Sequence, residues 1–262
     1  MSRVLLQPTF ILHHRAYRDS SLLLDTFSAQ HGRIDLVARG VRKQGRHGSR
    51  AALLQPFVPL LVSFSGRSEL KTLVAAEPAA EAMNLTGERL YSGLYLNELL
   101  VRLLHRHDPH PRLFAAYAEA LQGLECVPGV DLVLRRFELR LLEELGYSFD
   151  FGCDSYHGIP VSAGEYYRYE AEYGLVQSDR DGPGQRYPGA ALLQLAAGDF
   201  EGDARRVAKY LFREALAVQL GPEPLRSREL FARRYRSEPT RGGTSVKDSS
   251  TQADTRGDAS SI

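Results

Sequence analysis

Residues 8–76 read as a run of short strands broken by turn residues, and this pattern limits the fold more than any other feature of the chain. The segments are "TFILHHRAY", "SSLLLDTFS", "GRIDLVAR", "PFVPLLVSF" and "ELKTLVAA". In the third, Ile34, Leu36 and Ala38 fall on one face, and Arg33, Asp35 and Arg39 on the other. That period of two is the mark of a half-buried strand. "AQHG" at 29–32 and "SGRS" at 65–68 are turn signals. A five-stranded open sheet would leave two edges of unpaired N–H and C=O groups, and closure into a small Greek-key barrel removes them. The expectation is an α+β chain that opens with a five-stranded OB-type barrel over residues 1–80. "GSRAALLQ", between the third and fourth strands, is suited to a short helix.

Beyond residue 80 the period changes. "LTGERLYSGLYLNELLVRLLHRHD" repeats its apolar residues at three-to-four spacing, with Thr86 as the expected N-cap. Pro111 opens a second expected helix, running to Glu125. "DLVLRRFELRLLEELG" predicts a third, capped by Asp131, ended by Gly146 and buried along Leu134, Phe137, Leu141 and Leu145. From about 147 to 187 the helical period is lost in a Tyr- and Gly-rich insert, where "GEYYRYEAEYGLV" suggests a hairpin. Helices are expected again near 189–197 and at 203–220, with Asp203 as cap and Gly221 as stop, and then in "SRELFARRY". The helical domain is thus read as 81–236. Residues 237–262 have the composition of a disordered tail.

Charge is distributed unevenly. The chain holds 33 basic and 32 acidic residues, yet no Asp or Glu occurs in residues 36–68. Within that span "RGVRKQGRHGSR" gathers Arg39, Arg42, Lys43, Arg46 and Arg50 among three glycines. Cations on a glycine-bearing loop reach several phosphates at once, and strand faces beside it offer stacking surfaces. A solvated loop would more often mix signs. Nucleic-acid binding is therefore the favoured reading of this stretch. A second basic feature lies on the late helix, where Arg206, Lys209 and Arg213 share a face, with Arg135 and Arg136 on the third helix. Taken alone, that stripe reads as an ordinary solvated helix face.

Other signals are weak. Cys126 and Cys153 make no disulfide framework, and no secretory signal or membrane span is evident, which suits a cytoplasmic chain. Cys153, Asp154 and His157 fall short of a zinc set, and His105, His107 and His110 in "HRHDPH" lack helical ligand spacing. No P-loop, G-x-S-x-G, H-E-x-x-H or Rossmann fingerprint occurs. The expectation is a protein without catalytic, metal or cofactor residues.

"RIDLVARGVRK", "ALLQPFVPLLVSFSGRSELKTL", "LYSGLYLNELL", "RRFELRLLEELGY" and "PLRSRELF" together resemble the bacterial recombination mediator family RecO, in order and spacing, over nearly all of residues 1–235. The resemblance implies an OB-fold followed by a mostly helical domain with a small insert. It implies a recombinational repair mediator that binds single- and double-stranded DNA and anneals complementary strands without ATP. Implied partners are RecR, RecF in some bacteria, and the acidic C-terminal tail of the single-strand binding protein, SSB; the functional outcome is loading of RecA. It places DNA contacts on Arg39, Arg42, Lys43, Arg46 and Arg50, with Arg67 and Lys71 as neighbours. Tail docking falls on Arg135 and Arg206 with Lys209 adjacent, and Leu139 or Tyr210 in the groove. Some family members carry four insert cysteines and zinc; this chain keeps only Cys153 there, so zinc is not carried over, and Tyr156, Tyr166, Tyr167, Tyr169 and Tyr173 are expected to pack the insert instead. Rival readings are an RNA-binding OB-fold module without a repair role, an enzyme centred on Cys153 and His157, and a purely structural interaction protein.

Overall fold

A computed structural model describes residues 3–42 and 50–230. Five strands close into a barrel: β1 (Arg3–Tyr17), β2 (Ser21–Ser28), β3 (Gly32–Ala38), β4 (Leu60–Ser65) and β5 (Lys71–Pro78). Their order around the barrel is β1-β2-β3-β5-β4, with one parallel pair, β3 and β5. Among the described residues of the segment before β4 there is a single 3-10 turn, Arg50–Ala52. Three helices follow: α1 (Gly87–Leu103), α2 (Pro111–Cys126) and α3 (Asp131–Glu144). The insert holds β6 (Cys153–Asp154), β7 (Ile159–Pro160), β8 (Tyr166–Glu170), β9 (Gly174–Ser178) and β10 (Tyr187–Pro188). Then come α4 (Gly189–Ala196), α5 (Gly202–Leu220) and a terminal helical turn, residues 226–230. Among the described residues no helix is long and apolar enough to cross a membrane.

The apolar run Phe10-Ile11-Leu12 is buried throughout. Ile11 points into the barrel with Leu24, Ile34, Leu36 and Leu60. Phe10 and Leu12 point outward and join Phe27 in the core of the helical domain. A strand buried on both faces loses its polar alternation, which is why this one reads as a continuous apolar stretch. Phe10 meets Tyr117 edge-on, with ring centroids 5.1 Å apart. Tyr117 donates to Asn97 Oδ1 at 2.6 Å, and Asn97 Nδ2 donates to the Leu12 carbonyl at 2.9 Å. Barrel and helices thus share one core and a buried polar bridge.

"HRHDPH" clasps the two parts. The His107 N–H donates to the Arg33 carbonyl at 2.9 Å, and Arg106 pairs with Asp35 at 2.9 Å. Arg33 is buried, pairs with Asp25 at 2.6 Å and donates to the Val101 and Leu104 carbonyls at the end of α1. Gly32 adopts φ +64°, and a Cβ there would lie 2.0 Å from the Asp108 carbonyl oxygen.

The insert is organised around a carboxylate. Asp154 is fully buried. Its Oδ1 accepts the Tyr156 and His157 N–H groups at 2.9 Å, and its Oδ2 accepts Gln177 N–H at 2.8 Å and contacts His157 Nδ1 at 3.0 Å. Burial opposes its charge, yet these bonds hold its pKa at about 2. The tyrosines contribute less than expected: Tyr167 is buried and its hydroxyl accepts the Ser162 N–H at 2.8 Å, whereas Tyr156 and Tyr173 are exposed and touch edge-on.

Helix starts differ from expectation by a residue or two. Thr86 occupies the N-cap of α1 without a side-chain cap bond. Val130 and Glu201 hold the cap positions of α3 and α5, leaving Asp131 and Asp203 inside the first turns, where negative charge still favours the helix dipole. Gly146 (φ +86°) and Gly221 (φ +71°) follow the ends of α3 and α5 as expected. The terminal helix is described only as far as residue 230.

Candidate functional site

The first surface forms at one end of the barrel. The Arg42 N–H donates to the Ser20 carbonyl at 3.0 Å, and its Nη1 reaches the Arg18 carbonyl at 3.4 Å. The start of the basic stretch is therefore tied to the β1–β2 turn. Register completes the patch: Tyr17 pairs with Ser21, Arg15 with Leu23, and Leu22 with Ala38, so Arg39 emerges beside the hairpin end. Arg15, Arg18, Arg39 and Arg42 are all exposed. The Arg18 guanidinium lies 5.2 Å from the Tyr17 ring centroid. Asp19 is the acid at this tip. Among the described residues none of the four arginines is ion-paired with a carboxylate. Such a surface attracts phosphates, and the tyrosine offers a face for a base.

A groove of about 370 Å³ adjoins Arg39 and is lined by Val41, Leu53, Leu54, Leu73 and Val74. It opens because β3 and β5 pair only at Leu36–Lys71 and Val37–Thr72. Lys71 therefore sits beside the middle of β3 rather than its end, with Arg67 in the turn before it, and its charge reaches His31. Lys43, Arg46 and the Arg50 side chain lie outside the described residues. The linear sequence does not single out Arg15, Tyr17 and Arg18. "HHRAYR" held the signal, cations beside an aromatic at a turn, but only the strand register brings it to Arg39 and Arg42.

The second surface is a cavity of about 240 Å³ between α1, α3, α5 and the terminal turn. Its cationic lining is Arg135, Lys209, Arg213 and Arg228; Glu88 and Asp131 are its acids. Arg135 is 1% exposed and pairs with the fully buried Glu138 at 2.6 Å, while its Nε and Nη1 have no hydrogen-bond partner among the described residues. Glu138 also accepts from the Tyr95 hydroxyl at 2.7 Å. Burial raises its carboxyl pKa, opposed by Arg135. Burial, with the like charges of Arg228 and Arg135, lowers that of Arg213. Lys209 reaches Asp131 at 3.2 Å. Arg206 is absent from the lining; its side chain is 67% exposed and pairs with Asp203 at 3.1 Å. Leu139 lines a different groove, between α2 and α3, and Tyr210 is exposed. A buried guanidinium with free donors, beside two further arginines, suits an anionic group such as a carboxylate.

Cys153 and His157 are brought together only through Asp154, as parts of the insert's hydrogen-bond hub. Among the described residues no three His, Cys, Asp or Glu side chains converge as metal ligands.

Comparison with known proteins places the chain in a family. The family model for the recombination protein O N terminus matches residues 1–81, the barrel, and that for its C terminus matches residues 84–229. A DNA repair protein RecO from Cellvibrio japonicus is 46% identical over 232 residues, covering 87% of this chain and 97% of that protein. Counterparts from Pseudomonas paraeruginosa and Nitrosococcus oceani are 45% and 44% identical, covering 88% and 87% of this chain and 96% and 93% of their own. A continuous match through barrel, helices and insert shows that the chain belongs to the recombination protein O family of DNA repair proteins.

Proposed function

We propose that this chain is a mediator of recombinational repair. It binds single- and double-stranded DNA at the Arg39–Arg42 end of the barrel and anneals complementary strands without ATP. It docks the acidic tail of the single-strand binding protein in the cavity of Arg135, Lys209, Arg213 and Arg228. With RecR, and with RecF where that protein takes part, it helps RecA onto coated single strands. The observation that carries this reading is the gathering of Arg15, Arg18, Arg39 and Arg42, without carboxylate partners among the described residues, around one strand hairpin. Annealing requires that the repulsion between two phosphate backbones be neutralised while the bases stay free to pair. A cationic patch that grips backbones without reading sequence does this.

The test is annealing of two complementary oligonucleotides, naked and coated with the single-strand binding protein, across a salt series. Three proteins are compared: wild type, a barrel variant (Arg18, Arg39 and Arg42 to Ala) and a cavity variant (Lys209 and Arg213 to Ala). Arg135 is left in place because its removal would strand the buried Glu138 charge. The barrel variant should fail on naked DNA, with the salt slope of single-strand binding reduced by about 2, or roughly 0.7 per cation. The cavity variant should anneal naked strands and fail on coated ones. Wild type that anneals neither, or that prefers structured RNA, would refute the proposal in favour of an RNA-binding role.

A further inference from the structure

The terminal turn supplies one wall of the cavity, and α1 holds that turn in place by two side chains one helical turn apart. Glu98 Oε1 accepts the Arg226 N–H at 2.9 Å; its Oε2 accepts the Ser227 N–H at 2.9 Å and the Ser227 hydroxyl at 2.6 Å. Arg102 Nη2 donates to the Leu220 carbonyl at 2.6 Å, and its Nη1 to the Glu223 and Pro224 carbonyls at 2.9 and 3.4 Å. Arg102 thus satisfies carbonyls left over at the end of α5 and in the connection, and Glu98 satisfies N–H groups left over at the start of the terminal turn. The pair bridges the point where the chain turns back onto α1.

What this clamp delivers is Arg228. The exposed Arg228 guanidinium stands 5.7 Å from the Tyr95 ring centroid and lines the cavity with Arg135 and Arg213. Three like charges in one place repel; the buried Glu138 offsets them in part, pairing with Arg135 at 2.6 Å and acting on Arg213 and Arg228, and Glu88 and Asp131 are the acids of the cavity lining. In the turn itself Leu225 is the buried apolar anchor. The hydrogen bonds to Glu98 fix the turn that carries Arg228 beside Arg135 and Arg213, against the repulsion that Glu138 leaves uncompensated. The Glu98 carboxyl pKa is lowered, with burial working against the charge and the Ser227 and Arg226 bonds outweighing it.

We infer that Glu98 is a positioning residue for recognition of an acidic peptide bearing a free C-terminal carboxylate, acting through Arg228 without touching the peptide. This rests on the tail-docking reading of the cavity. Coupling of this kind is reciprocal: if the clamp favours the peptide, the peptide must favour the clamped turn. Peptide binding is then expected to slow amide exchange at Arg226 and Ser227, and loss of Glu98 to speed it.

The experiment is a double-mutant cycle on the full chain, using a fluorescent synthetic peptide with several Asp residues, an apolar last residue and a free carboxylate. Affinity is measured for wild type, Glu98→Gln, Arg228→Ala and the double variant. Each single change should weaken binding about fivefold, and the double variant should be no weaker than the weaker single one. Hydrogen exchange at residues 225–230 is followed in the same samples with and without peptide. If Glu98→Gln binds as wild type, or if the two losses multiply, the inference is overturned while the tail-docking reading stands. If wild type does not bind the peptide, both fall together.

Discussion

Asp154→Asn gives the sharpest measure of how the insert holds together with a single cysteine. The replacement keeps the shape and one acceptor oxygen, and removes the charge. In the orientation that keeps the Tyr156 and His157 N–H bonds, an NH₂ group replaces Oδ2, where Gln177 N–H and His157 Nδ1 now approach at 2.8 and 3.0 Å. Leaving the Gln177 N–H unpaired costs about 1–3 kcal/mol, and loss of charge assistance at the other two bonds about 1 kcal/mol more. The expected destabilisation is about 3 kcal/mol, read by urea denaturation with circular dichroism. Early proteolytic cleavage within residues 152–178 would show that the loss begins in the insert. The sign with pH is also set. Asp154 has a folded pKa of about 2 against an ordinary 3.8, so its contribution is fully present above about pH 4 and disappears as pH falls toward 2. The gap between wild type and Asp154→Asn should close over that window. A variant within about 0.5 kcal/mol of wild type at neutral pH would refute the assignment of Asp154 as the insert's organiser.

Three further outcomes follow from the packing. Gly32→Ala must place a Cβ against the Asp108 backbone at a left-handed φ, so a loss of at least about 2 kcal/mol is expected, with the barrel and helices separating first in a thermal melt. Glu138→Ala leaves the Arg135 guanidinium buried without its partner, for about 3–5 kcal/mol in chemical denaturation, whereas Arg135→Met with Glu138→Leu should recover most of that loss and abolish carboxylate binding. Tyr117→Phe removes the hydroxyl that bonds Asn97, costing about 1–2 kcal/mol, and should lower the thermal midpoint without changing DNA affinity.

Much of the architecture was legible in the chain because it depends on local periodicity. Alternation in "GRIDLVAR" defined β3, the three-to-four spacing defined α1 through α3, and "GEYYRYEAEYGLV" became the β8–β9 hairpin. The lack of acids in residues 36–68 marked a basic surface, and Arg39 and Arg42 are exposed where the barrel hairpin meets them. Helix starts were less well defined, since Asp131 and Asp203 serve a first turn as well as a cap.

The partners of each charge were decided elsewhere. Arg135 and Arg136 are neighbours of the same type, yet one is buried on Glu138 and the other is exposed. Arg206 and Arg213 share a helix face in the linear pattern, but only Arg213 reaches the cavity. Tyrosine count suggested what packs the insert, and a single carboxylate proved to be its hub. Periodicity reports which way a side chain leaves its own helix or strand, and the sequence of that element is enough to set it. Which distant group it then meets depends on how α1, α3, α5 and the terminal turn pack, and that is settled jointly by residues more than a hundred positions apart, such as Glu98 and Ser227.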